Sequence, residues 1–333
     1  MTSMTIATAL NAALHEIMKA DERVVIIGED IVGGSGLSGS EELGGVFGVT
    51  KGLAQVFGRE RVIDTPISES AFVGMATGAA MTGLRPVVEV MFCDFFGVCF
   101  DQVFNQAAKA RFLSGGRLKL PLVIRTTMGA GDSSGAMHSQ SLHGMLASIP
   151  GLAVVCPSTP ADAAGLLKSA VAADGPVVMF EHKGLYGAEG EVKANLPAVP
   201  LGKGNILVPG DDITLVALSA MVPKAMEAAA SLKADGISTE VIDPRTVHPL
   251  DSHMILASLK KTGRLLVVDE GAALMGFADR VLSLAASEGF ASLKVAPQKL
   301  TPPHTPVPYG RKAEASWLPA TDDIVSTIKS MLK

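Results

Sequence analysis

The sequence predicts an α/β protein built of two doubly wound domains. Two patterns carry that prediction. Apolar runs of about four to six residues alternate with stretches of helical periodicity, the signature of a mostly parallel sheet covered on both faces. The alternation lapses over 187–211, where Gly, Pro and mixed charge follow no period, and then it resumes. A chain of 333 residues, 48% of them hydrophobic, has enough apolar side chains for two cores. The expected division is residues 1–188, a linker at 189–211, and a second domain at 212–333.

In the first domain the opening helix spans 5–19, with Ile6, Leu10, Ala13, Leu14 and Ile17 on one face. Strands follow at Val24–Ile27, Pro86–Met91, Leu122–Arg125, Ala153–Val155 and Val177–Phe180, with helices over 50–57, 69–82, 98–113, 140–148 and 161–172. Seven glycines between Gly33 and Gly48 give a loop that lets backbone approach a ligand or stay mobile. The second domain reads strand Thr214–Leu218, helix 222–233, strand Ser238–Ile242, helix 251–260, strand Leu265–Asp269, helix 275–287 and a last strand at 291–296. The loop Pro302-Pro303-His304-Thr305-Pro306 comes after it.

Composition excludes several roles. The net charge of −5 is dispersed, with no basic stripe for nucleic acid and no polybasic segment for an anionic membrane. The most apolar helix, at 71–82, is too short and Gly-rich to span a bilayer. A mean hydropathy of +0.36 is high for such a chain and suggests surface hidden against partner subunits. Cys93, Cys99 and Cys156 form neither a C-x-x-C pair nor an even disulfide set, which suits a reduced compartment. With no leader pattern at the N-terminus, the expected location is cytoplasmic.

Asp64-Thr65-Pro66-Ile67-Ser68-Glu69 is the most informative stretch. Pro66 suits a first helical position and Thr65 or Asp64 a cap, which delivers Glu69 into the opening turn of an apolar helix. Such a carboxylate is either a helix-start charge or a tuned proton-transfer group. Gly129–Gly135 follows a strand like a nucleotide loop, but no acid stands about 20 residues on and Asp132 would face the phosphates. His138 lies on that loop past a strand end, where substrates lie, or else it caps the next helix. His143 reads as structural, and His182, just past another strand end, is positioned to line the same cleft. His248, His253 and His304 lack metal-ligand spacing. Strand Glu89–Met91 breaks into Phe92, Phe95 and Phe96, packing residues unless one stacks on a planar ligand.

Several pieces match one family: Gly28-Glu29-Asp30, Gly45–Leu53, Asp64–Glu69, Gly83-Leu84-Arg85-Pro86, Asp101-Gln102 with Asn105–Lys109, His138-Ser139-Gln140 and Pro303–Pro308. The chain resembles beta subunits of the decarboxylating component of thiamine-diphosphate-dependent 2-oxo acid dehydrogenase complexes. Val123–Thr126, Glu181-His182-Lys183 with Tyr186, and Gly33-Gly34-Ser35-Gly36 look most like the acetoin dehydrogenase branch. The resemblance implies a thiamine-diphosphate pyrimidine-binding domain followed by a transketolase C-terminal-like domain. It also implies an α2β2 heterotetramer whose alpha subunit holds Mg2+ and the diphosphate through a Gly-Asp-Gly motif, which this chain lacks.

By the same resemblance Glu69 hydrogen-bonds the pyrimidine ring nitrogen, Phe95 lies against the ring, and His138 is an active-site acid/base or orienting group. Glu29 matches an acidic position near the path between paired sites. A potassium site through backbone oxygens is implied near Leu122, Ala170, Ala173 and Gly175. The implied reaction cleaves acetoin and passes a two-carbon acyl unit to a lipoyl group on an acyltransferase. Pyruvate or a branched-chain 2-oxo acid is the alternative substrate, and a non-catalytic scaffold subunit the alternative class. One departure stands beside His138: Gly135-Ala136-Met137 replaces the family's usual Ala-Ala-Gln, after an unusually polar Asp132–Ser134.

Overall fold

A computed structural model describes residues 1–32 and 44–333. Gly33-Gly34-Ser35-Gly36 and much of the glycine loop lie outside the described residues. Two compact units emerge: Met1–Met128 with Leu146–Leu201, and Gly129–Met145 with Gly202–Lys333.

The first unit opens with β1 (Thr2–Thr5), α1 (Ile6–Ala20), β2 (Val24–Glu29), α2 (Leu53–Phe57), β3 (Val62–Thr65) and α3 (Glu69–Met81). It continues through β4 (Arg85–Phe92), α4 (Phe96–Asp101), α5 (Ala108–Leu113) and β5 (Val123–Met128). After α6 (His143–Ala147) come β6 (Ala153–Val155), α7 (Pro160–Ala172), β7 (Val177–His182) and β8 (Glu189–Val192). Its strands run in parallel in the order β6-β7-β5-β4-β2-β3. The apolar runs are the buried strands: Val24–Ile27, Val87, Val88 and Val177–Phe180 are almost fully enclosed. Helix α1 starts where the Thr5 hydroxyl accepts the Thr8 N–H at 3.2 Å, and it buries Leu10, Leu14 and Met18. Between α4 and α5 the helix widens to a π turn at Gln102–Ala107, closed by the Ala108 N–H on the Val103 carbonyl.

The second unit holds β9 (Asn205–Val208), β10 (Ile213–Ala217), α8 (Met221–Ala234), β11 (Thr239–Asp243), β12 (Thr246–His248) and α9 (Ser252–Thr262). Then come β13 (Leu265–Val268), α10 (Phe277–Ser287), β14 (Gln298–Leu300), α11 (Arg311–Trp317) and α12 (Thr321–Met331). The sheet order is β14-β13-β10-β11-β9, parallel except for β9. Ile213, Leu215, Leu232, Val241 and Leu266 form its core with Ile324 and Ile328 of α12.

Several elements depart from the sequence expectation. The last strand lies at Gln298–Leu300, beside β13, while Phe290–Ser292 is a 3-10 turn and the Lys294 N–H bonds Gly263 instead of a strand partner. Helix α6 is limited to His143–Ala147, leaving Gln140–Leu142 in the loop. Residues 189–211 carry β8, paired antiparallel with β1, and β9. Helix α3 begins at Glu69, where the expected span 69–82 starts, but Ser68 is its cap residue, so Pro66 is not its first position and neither Asp64 nor Thr65 caps it. Proline keeps the residue before it extended, so Thr65 stays the last residue of β3 and Pro66–Ser68 form a link.

Candidate active site

The carboxyl ends of β2 and β3 and the start of α3 gather four acids. Strand pairing sets Gly28 beside Asp64 and Glu29 beside Thr65. Gly28 is required there: a Cβ would sit 2.9 Å from the Glu89 carbonyl of β4. Asp64 accepts the Ile31 N–H at 2.9 Å, instead of capping α3. Glu69 is 7% exposed at the first residue of its helix. Burial raises the Glu29 carboxyl above its ordinary range, and the carboxylates of Asp30, Glu69 and Asp64 push it further.

Phe95 is the cap residue of α4, the helix beside α3. The Ser70 hydroxyl donates to the Val98 carbonyl at 2.6 Å, tying the start of α3 to α4. Cys99 Sγ donates to the Phe95 carbonyl at 3.6 Å, and burial, then the Glu69 carboxylate, pushes its thiol up to about 12. Phe95 is half-buried and meets Phe92 edge to face at 5.6 Å, whereas Phe96 is wholly buried. Glu29 and Glu69 therefore come together in the first unit, with Phe95 at the start of α4. The Thr65 hydroxyl beside them is buried with no hydrogen-bond partner among the described residues.

Behind this site lies a buried ionic network on three adjacent strands. Arg125 of β5 donates through Nε and Nη2 to the two Glu181 oxygens of β7, each at 2.7 Å, and through Nη1 to Glu89 of β4 at 2.7 Å. The Tyr186 hydroxyl donates to Glu181 at 2.7 Å. Burial holds the Glu89 carboxyl above its usual value against the pull of Arg125. Gly45, at φ +77°, passes so close that a Cβ would lie 2.9 Å from Glu89 Oε1, and Phe47 stacks on Tyr186 at 5.0 Å. The network thus fixes the Gly45–Phe47 turn, whose Gly45 N–H bonds the Asp30 carbonyl at 3.0 Å.

His138 belongs to the second unit, half-buried, with its N–H on the Gly135 carbonyl at 3.2 Å. Its loop has the glycines of a nucleotide turn without the rest of that motif, and its N–H groups serve the protein's own carboxylates: the Ala130 N–H bonds Glu270 at 2.6 Å, and the Ser133 N–H bonds Glu314 at 2.8 Å. His143 is buried against Asp269 at 3.0 Å. His182 Nδ1 accepts the Gly184 N–H at 3.1 Å. A cavity of about 540 Å³ in this unit is lined by Ala136, Gln140, Ser141, Glu270, His304 and Trp317 among others.

The aminopyrimidine end of thiamine diphosphate needs a carboxylate at a ring nitrogen and an apolar face, and buried Glu69 with Phe95 fits both. The orphaned Thr65 hydroxyl leaves a further polar contact open there. Among the described residues no group of three or more His, Cys, Asp or Glu is placed to hold a metal ion, so no ligand set for Mg2+ stands out. Of the four residues named for potassium, three have carbonyls that already accept a hydrogen bond. Leu122 O accepts the Val177 N–H at 2.9 Å and Ala170 O the Ala173 N–H at 3.3 Å. Arg85 Nη1 donates to Ala173 O at 3.4 Å and to neighbouring Val171 O at 2.6 Å. Arg111 reaches within 4.0 Å of where a Gly175 Cβ would stand, and Lys119 pairs with Asp174 at 3.0 Å. The Arg85 guanidinium already serves the Ala173 carbonyl, and a second cation there would meet repulsion. Exchanging K+ for Na+ should leave the thermal midpoint unchanged. A bound ion at a hundredfold excess over Kd would add about 2.7 kcal/mol, so a clear rise in K+ alone would overturn this.

Glu270, Glu314, Glu89 and Arg125 were not singled out from sequence as site residues. A signal existed for the last two: a charge inside an apolar strand run, as in Val87-Val88-Glu89-Val90 and Val123-Ile124-Arg125, asks for a buried partner. Nothing comparable marks Glu314, on a seven-residue helix whose pattern is too short to read.

The transketolase pyrimidine binding domain family matches residues 2–189, and the transketolase C-terminal domain family matches 202–324. The chain is 48% identical over 332 residues to the beta subunit of an acetoin:2,6-dichlorophenolindophenol oxidoreductase from Bacillus subtilis, covering 99% of this chain and 97% of that one. It is 42% identical to a pyruvate dehydrogenase E1 component subunit beta from Staphylococcus epidermidis, over the full length of both. A solved split gene transketolase, described as an inactive beta4 tetramer, superposes with a TM-score of 0.79 at 24% identity, over 99% of this chain and 98% of that one, a likeness of fold. With a buried carboxylate opening α3 and both domain families in order, the chain belongs to the transketolase-like family of beta subunits that includes those of acetoin oxidoreductases and pyruvate dehydrogenase E1 components.

Proposed function

We propose that this chain is the beta subunit of a cytoplasmic thiamine-diphosphate-dependent acetoin dehydrogenase, working with an alpha subunit in an α2β2 heterotetramer. The enzyme cleaves acetoin and passes the two-carbon acyl unit to a lipoyl group on an acyltransferase component. One observation carries the reading: Glu69, buried at the first residue of α3 beside Glu29, is the carboxyl that shares a proton with an aminopyrimidine ring nitrogen.

Bound thiamine diphosphate, held with Mg2+ by the alpha subunit, supplies the nucleophilic carbon and the electron sink for breaking a bond next to a carbonyl. This chain orients and protects. Glu69 holds a proton at the ring nitrogen, and Phe95 packs the ring face and excludes water. Glu29, whose proton affinity burial and neighbouring acids raise, stores or relays a proton beside Glu69. His138 takes or gives the proton of the substrate hydroxyl.

The proposal is tested by assembling the chain with its alpha partner and following artificial-acceptor reduction. Acetoin should be preferred over pyruvate and branched-chain 2-oxo acids in kcat/KM. A tenfold preference for pyruvate, on the order of one 1.4 kcal/mol step, would move the enzyme to the pyruvate dehydrogenase reading, which the full-length likeness to such a beta subunit keeps in view.

A further inference from the structure

We propose that Glu314 is a positioning residue for His138, holding the histidine's loop from below through Ser133. The inference rests on the active-site role given to His138 above. Glu314 is 1% exposed on α11, and its Oε2 accepts both the Ser133 N–H at 2.8 Å and the Ser133 hydroxyl at 3.4 Å. Ser133 sits at φ +62°, a left-handed conformation that a serine does not hold without a reason. The turn from Ser133 leads to Gly135, whose carbonyl takes the His138 N–H. Ser133 and His138 are thus separated by one tight turn, and fixing one fixes the other.

Two further contacts make the grip specific. Tyr309, just before α11, packs so near Gly135 (φ +74°) that a Cβ there would lie 3.3 Å from its ring. Ala130, at the loop's other end, is held by Glu270. Glu314 Oε1 is buried with no hydrogen-bond partner among the described residues. A buried carboxylate with an idle oxygen is a poor stability device, and what singles this one out is the turn its other oxygen holds. The Gly135-Ala136-Met137 departure lies wholly inside this clamped segment.

The test uses the full chain and the complex assembled with the alpha subunit. Glu314→Leu should speed hydrogen exchange of the amides in 130–138 at least about tenfold in the purified chain. In the assembled complex it should lower kcat by on the order of 10–100-fold with little change in KM, the effect of a misplaced catalytic group. Glu314→Gln keeps an acceptor for the Ser133 N–H and should restore both readouts to within about threefold. If Glu314→Leu fails to assemble, Glu314→Asp, which withdraws the carboxylate by one methylene, decides by an intermediate loss. Unchanged exchange in the loop, or kcat within about twofold of the parent in the assembled Leu or Asp variant, would overturn the proposal. If the parent complex ignores acetoin, the functional reading fails, and the exchange result still decides whether Glu314 holds the loop.

Discussion

Glu69→Gln should cut kcat of the assembled complex at least about 100-fold, the usual scale of a lost acid–base group. The fold gives this variant a clean reading. Gln fills the same volume at the start of α3, so no cavity opens. Glu69 lies among like charges, and its carboxylate helps raise the Glu29 carboxyl. Removing one charge from Glu29, Asp30 and Asp64 relieves repulsion, so the thermal midpoint of the chain should stay or rise while activity falls. That opposition separates catalysis from folding. A variant that turns over within about threefold of the parent would remove Glu69 from the chemistry and favour a scaffold subunit.

The largest effect on stability is expected from Arg125→Leu. The guanidinium is 1% exposed and makes three charge-assisted hydrogen bonds to Glu181 and Glu89. Taking it away leaves two buried carboxylates facing each other, a loss of about 3–5 kcal/mol. In a unit of this size the melting transition should fall by on the order of 10 °C. The pH dependence has a definite sign. Glu89 already binds its proton more tightly when folded. Such a carboxyl contributes stability fully present below its unfolded pKa and lost as pH rises through the folded one. Without Arg125 that folded value climbs further, so the deficit against the parent should be smaller near pH 5 than near pH 8. Calorimetry at the two values checks this, and a deficit that grows in acid would contradict the network as described.

How much of this was legible in sequence follows from what leaves a local trace. The sheet strands announced themselves because Val24–Ile27 or Val177–Phe180 bury both faces and tolerate little polarity. Strand β3 escaped because only Val62 and Ile63 are apolar before Asp64 and Thr65 turn to the site. Helices α11 and α12 escaped because the first is short and the second buries only Ile324, Ile328 and Met331 along a charged segment. Glu69 was found through Pro66 and the apolar helix, although the helix start lay three residues later than the proline suggested. The glycine loop 129–135 shows the opposite limit. Spacing alone cannot tell whether an anion-binding turn awaits a phosphate or is satisfied by Glu270 and Glu314, which lie more than a hundred residues away in sequence.

The wide turn at Gln102–Ala107 constrains which versions of this chain could exist. A π turn carries one residue more than the α-helix it interrupts, so deleting any one of those six would restore ordinary backbone pairing. The wide turn takes up its extra residue locally, so the helix on either side would face nearly as it does now. The Phe95–Cys99 end would stay beside α3, and Ala108 and Ala110 would stay in the core. One residue can be lost here at little cost, whereas a second would turn one side against the other by roughly 100°.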